Sequence, residues 1–81
     1  MPYVTPEERK VLLEHRNPAT PGGLNFLITH MLTEYAKDKT INYTLLNEIM
    51  GVLESAKQEF YRRMVVPYED EKKEQNGDVY P

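Results

Sequence analysis

From Asn42 to Val66, apolar residues return in steps of three and four: Leu46, Ile49, Leu53, Ala56, Phe60 and Met64. That spacing puts their side chains on one face of a helix. At about 100° per residue, Leu45, Met50 and Val52 widen the stripe, with Tyr43 and Tyr61 at its edge. The resulting arc takes up roughly half the circumference, wider than the ~100° stripe of an ordinary surface helix. A single neighbouring helix does not cover such an arc. Two partners do, or one partner and a second copy of the chain. The opposite face carries Asn47, Gly51, Ser55, Gln58, Glu59 and Arg62 and suits water. Pro67 is expected to end this helix, because it has no N–H to donate and disfavours helical geometry at Val66.

Upstream, residues 1–4 read as extended, with Tyr3 and Val4 available to pack. Thr5-Pro6-Glu7-Glu8 is a helix start, with a threonine to cap, a proline at the first helical position and Glu8 placed to complete a capping box. The first helix spans about 6–15, with Val11, Leu12 and Leu13 as its apolar residues. Residues 16–23 carry two prolines and two glycines and read as a loop. A second helix is expected over about 23–37, with Leu24, Leu27, Ile28, Met31 and Tyr35 as its stripe and Phe26 pointing away, back to the first helix or into a partner. The polar connection 37–41 is short, which argues that the second helix and the helix over 42–66 form an antiparallel hairpin. Thr40 or Asn42 caps the longer one. Beyond Pro67, residues 68–75 make a short charged helix or turn, closed by Asn76-Gly77 as an αL cap. The tail starts at about 76, and its Val79 and Tyr80 are candidates to dock back. The expectation is an all-α chain of one small domain, 1–81.

Composition narrows the function. At 81 residues the chain buries only about 60–65% of its unfolded surface. It has no cysteine and two histidines, so no disulfide, thiolate metal site or zinc site is expected to add stability. Oligomerisation is the stabiliser left, and a dimer fits the wide arc. The net charge is −3 and the pI about 5.3. Without a basic stripe, general nucleic-acid binding is not expected, because that needs Lys and Arg to displace counterions. There is no signal-peptide h-region and no run near the ~20 apolar residues of a membrane span. A cytoplasmic location is expected, with no cofactor.

The candidate binding residues are Tyr43, Glu54, Lys57, Tyr61, Arg62 and Arg63. Lys57 falls inside the apolar arc, with Glu54 three residues before it and Tyr61 four after. An amine there suits an anionic or aromatic ligand or a carboxylate of another chain; the plainer reading is a stem lying on the core edge with its ammonium in water. Arg62 and Arg63 beside Tyr61 suit a phosphate or carboxylate. The plainer reading is pairing with Glu59 at i+3 and i+4. Tyr68-Glu69-Asp70-Glu71 lacks the spacing and central glycine of a calcium loop. Pro21-Gly22-Gly23 lacks the fingerprint of a nucleotide loop. His15 and His30 lie on different helices. No nucleophile–base or metal constellation is present, so an enzyme is not expected. Gly51 costs about 1 kcal/mol against alanine inside a helix. With Asn47 and Ser55 it forms a strip of small residues, which is either approached by another helix or simply tolerated.

Asn42-Tyr43, Asn47-Glu48, Glu59-Phe60-Tyr61-Arg62-Arg63, Pro67-Tyr68-Glu69-Asp70 and Asn76-Gly77-Asp78-Val79-Tyr80 together resemble a family of short uncharacterised proteins from bacteriophages and bacteria. The resemblance runs over most of the chain from Pro21. It implies an all-helical cytoplasmic protein with no transferable activity, and a phage or prophage accessory factor that acts by binding a host protein. The alternative is an oligomeric small-molecule or nucleotide-binding protein with an anion site at a subunit junction.

Overall fold

The computed structural model describes residues 4–80, and these form two compact units divided between Asn42 and Tyr43. Every regular element among the described residues is helical: α1 (Pro6–His15), α2 (Pro21–Ala36), α3 (Tyr43–Phe60), a π-helical turn (Tyr61–Val65) and α4 (Val66–Asn76). The fold is all-α, as the periodicity implies. The extended reading of residues 1–3, with Tyr3 as a packing residue, lies outside the described residues.

In the first unit, α1 starts as its sequence dictates. The Thr5 hydroxyl accepts the Glu8 N–H at 3.1 Å, and the Glu8 carboxylate accepts the Thr5 N–H at 3.5 Å. The two ends of a capping box are thus both made, with Pro6 at the first turn. Val4, just ahead of the cap, is buried, and its carbonyl accepts the Arg9 Nε–H at 3.1 Å. The helix closes at Arg16, whose φ of 53° places a non-glycine residue in the left-handed region. The Arg16 N–H donates to the Leu12 carbonyl at 2.7 Å, and Pro18 follows two residues later.

α2 begins two residues before the expected start. Thr20-Pro21 repeats the device of Thr5-Pro6: the Thr20 hydroxyl accepts the Gly23 N–H at 3.0 Å, and the glycines lie inside the first turn. Gly23 is buried where α2 meets α1. A β-carbon there would stand 3.3 Å from Leu12 Cδ2, 3.3 Å from Thr20 Oγ1 and 3.4 Å from Pro18 Cβ, so the absence of a side chain permits the close approach.

The face that α2 covers is not the expected stripe. Gly23 is buried and Phe26, Leu27 and His30 are partly buried, whereas Leu24, Ile28, Met31 and Tyr35 are exposed. The helix packs through the side centred on its glycine, about a quarter-turn from its most apolar side. The Phe26 and His30 rings lie 6.0 Å apart on the covered side. At the C-terminal end, the Lys39 ammonium donates to the Tyr35 carbonyl at 2.7 Å and sits 3.9 Å from the centre of the Tyr35 ring. Lys37 donates to Glu34 at 3.0 Å. That bond, then the attraction of the same ammonium and of His30, holds the exposed Glu34 carboxyl below its ordinary pKa.

The second unit is one unbroken run of 34 helical residues from Tyr43 to Asn76. It begins after Asn42, which of the two expected caps is the one that flanks the helix. Pro67 does not end it. In an α-helix the proline ring would press on the carbonyl of Arg63, four residues back, and the missing N–H would break the ladder. Here the chain widens to a π turn immediately before the proline, with the Val66 N–H bonded to the Tyr61 carbonyl, five residues back. The wide turn makes room for the ring, and α4 continues with Pro67 in its first turn. The separate helix expected over 68–75 is therefore the last part of the long one. It ends at Gly77, whose φ of 85° and ψ of 155° lie not in αL but in a region that glycine alone enters readily. The Gly77 N–H reaches the Lys73 carbonyl at 2.8 Å. Val79 and Tyr80 do not dock back; they are 89% and 77% exposed. The Tyr80 N–H donates to the Asp78 carboxylate at 3.0 Å in a local turn.

Two substitutions test these assignments. Gly23→Val adds three carbons to the tightest helix contact and should cost about 1–3 kcal/mol, read as a lower urea midpoint of the helical circular dichroism. At Gly51, apart from its chain neighbours and the helix's own backbone, no described atom comes within 4 Å of where a β-carbon would stand. Gly51→Ala should therefore raise the midpoint, by about 1 kcal/mol of helix propensity.

Candidate functional site

All six candidate residues lie in the second unit, on α3 and the π turn. α3 exposes most of its apolar arc. Leu45 is buried and Ile49 and Leu53 are partly buried, but Leu46 (49%), Met50 (64%), Phe60 (62%) and Met64 (59%) are open to solvent. The covered part is a narrow line of i, i+4 positions, and the greater part of the arc stays uncovered. Tyr43, at the start of the helix, is 82% exposed. It stands about 27 Å along the axis from Tyr61, at 1.5 Å per residue, so these two edge tyrosines do not share one site.

Arg62 and Arg63 are held within their own helix. Arg62 donates through one terminal nitrogen to both oxygens of Glu59 at 2.7 Å, and Arg63 donates through Nε to the same carboxylate at 3.4 Å. One carboxylate between two guanidinium groups leaves the cluster a net single positive charge. All three side chains are more than half exposed, so the pairing is screened and contributes little to stability. Glu54 accepts the Gln58 amide at 3.1 Å rather than pairing with Lys57. Lys57 is exposed, and among the described residues no carboxylate lies within ion-pair distance of its ammonium.

Glu54, Tyr61 and Arg62 line a shallow groove along the polar side of the helix, together with Gly51, Ser55 and Gln58. Gly51, Ser55 and Gln58 were not among the expected site residues, although the strip of Asn47, Gly51 and Ser55 pointed to this side. Val66 closes the groove at the π turn, where the widening follows from Pro67. The groove is open and built from one helix face. No group of three or more His, Asp or Glu side chains among the described residues could hold a metal.

The acidic run is a solvated helix turn. Glu71 accepts the Gln75 amide at 3.2 Å, and the Lys72 ammonium lies 5.5 Å from the Tyr68 ring. No helix among the described residues is long and apolar enough to cross a membrane.

No curated protein and no solved structure gives a significant match to this chain. A family model described as a domain of unknown function, DUF6899, matches residues 1–79, across both units. The chain, whose regular elements between Thr5 and Asn76 are all helices and whose apolar arc on α3 is largely uncovered, belongs to that family.

Proposed function

We propose that this chain is a non-enzymatic interaction protein that self-associates through its long helix and, as a phage or prophage accessory factor in the host cytoplasm, binds a host protein. The observation that carries the reading is the open apolar face of α3, with Leu46 exposed to 49% and Met50, Phe60 and Met64 to 59–64%. A contiguous apolar surface in water is costly, at about 25 cal/mol per Å², and such surfaces mark places where another molecule docks. Tyrosine and arginine, the residue types enriched at interface hot spots, follow α3 directly in the π turn as Tyr61, Arg62 and Arg63. The alternative, an anion site at a subunit junction, draws less support, because Glu59 already engages both guanidinium groups.

The test is the mass in solution. Light scattering coupled to size exclusion should give a dimer at tens of micromolar. Met50→Glu and Phe60→Glu should each weaken it by about 100-fold or more, since each places a charge twice in the apolar contact. Circular dichroism should show the helix retained. A wild-type chain that stays monomeric over this range rejects self-association.

A further inference from the structure

Resting on the self-association reading, we infer that the occupant of the α3 face is a second copy of the same helix running in the opposite direction, in a register set by Lys57 and Glu54. The exposed face has a narrower order than its wide arc suggests. Tyr43, Leu46, Met50, Leu53, Lys57, Phe60 and Met64 follow one another at alternating steps of three and four. This is the a/d spacing of a coiled-coil seam. All but Leu53 are exposed, and Leu53 is only partly buried. Glu54 flanks the seam on one side, and Arg63 on the other.

Lys57 decides the direction. In a parallel pair in register, each residue faces its own copy, so two ammonium groups would share one apolar layer. That arrangement is repulsive and desolvates both charges. In an antiparallel pair, a positions face d positions. With the two-fold axis level with residue 55, Lys57 stacks its stem on the partner's Leu53, Met50 faces the partner's Phe60, and Leu46 faces the partner's Met64. A methionine sulfur then lies against an aromatic ring in two symmetric layers.

The charges agree with this register. Lys57 leans toward the flank that carries Glu54, and in an antiparallel pair each flank meets the same flank of the partner. The Lys57 ammonium then reaches the partner's Glu54, one residue from the level it faces. Two ammonium groups and two carboxylates gather about the axis with no net charge. Within one chain Lys57 has no carboxylate at ion-pair distance among the described residues, and Glu54 bonds only the neutral Gln58 amide; both charges are free to take these partners. The expected effect of the cluster is on orientation more than on strength, as for polar residues at single seam positions generally.

The chain contains no cysteine, so single introduced thiols report the geometry. Two proteins are prepared, Met50→Cys and Phe60→Cys, one carrying an affinity tag to set its mass apart. Mild oxidation of the mixture should yield a covalent dimer of one chain of each, and each protein alone should yield none. Self-linked Met50→Cys, or no covalent product from a mixture that light scattering shows to be dimeric, overturns the antiparallel register and leaves self-association standing. A monomeric wild-type chain overturns both. If either variant loses helical circular dichroism, Leu46→Cys with Met64→Cys asks the same question. Lys57→Glu should weaken the dimer at least tenfold, and Glu54→Lys added to it should restore association. If the double exchange fails to restore it, the ion-pair register is wrong.

Discussion

Burial is the scarce quantity in this protein. Among the described residues only Val4 and Leu45 are apolar side chains less than a tenth exposed. A chain of 81 residues has little interior to offer, and this one places 34 of them in a single helical run. A helix in water is stabilised chiefly by what its apolar face packs against. The first unit solves this locally, by drawing α1 and α2 together over Gly23. The second leaves most of its apolar face in solvent.

Local hydrogen bonding supplies much of the remaining order. Both N-terminal helices start on Thr-Pro, and each threonine satisfies a backbone donor that would otherwise lack a partner. Arg16 and Gly77 close their helices with positive φ, and Lys39 lies across the last turn of α2. Ion pairs are exposed and local in sequence, such as Glu59 with Arg62 and Arg63. They shape the electrostatic surface of the helix more than they stabilise it.

What could be read from the sequence was what depends on near neighbours. The Thr5 capping box, the end of α1 and the Glu59 pairs involve residues three or four apart, and all are present. The start of α2 was misplaced because Gly22 and Gly23 look like loop residues while Thr20 carries the cap. Its covered face was misread for a related reason. Gly23 adds nothing to a hydrophobic stripe, yet its lack of a side chain decides where α1 can approach. The candidate residues were found on one helix, but Lys57 could not be given a carboxylate from sequence alone. Glu54, three residues before it, bonds the Gln58 amide instead, and helical spacing alone does not rank that pairing against one with Lys57.

The π turn before Pro67 has a consequence for length. A π turn inserts, in effect, one extra residue into an α-helix, so side chains beyond it no longer keep phase with those before it. The alternating three-and-four order of α3 therefore cannot continue into α4, even though the helix itself does. In the antiparallel pair proposed above, the turn would act as a terminator at each end. It would limit that pair to a fixed number of layers and would leave the two charged α4 segments projecting at opposite poles, where they would keep further copies from adding on.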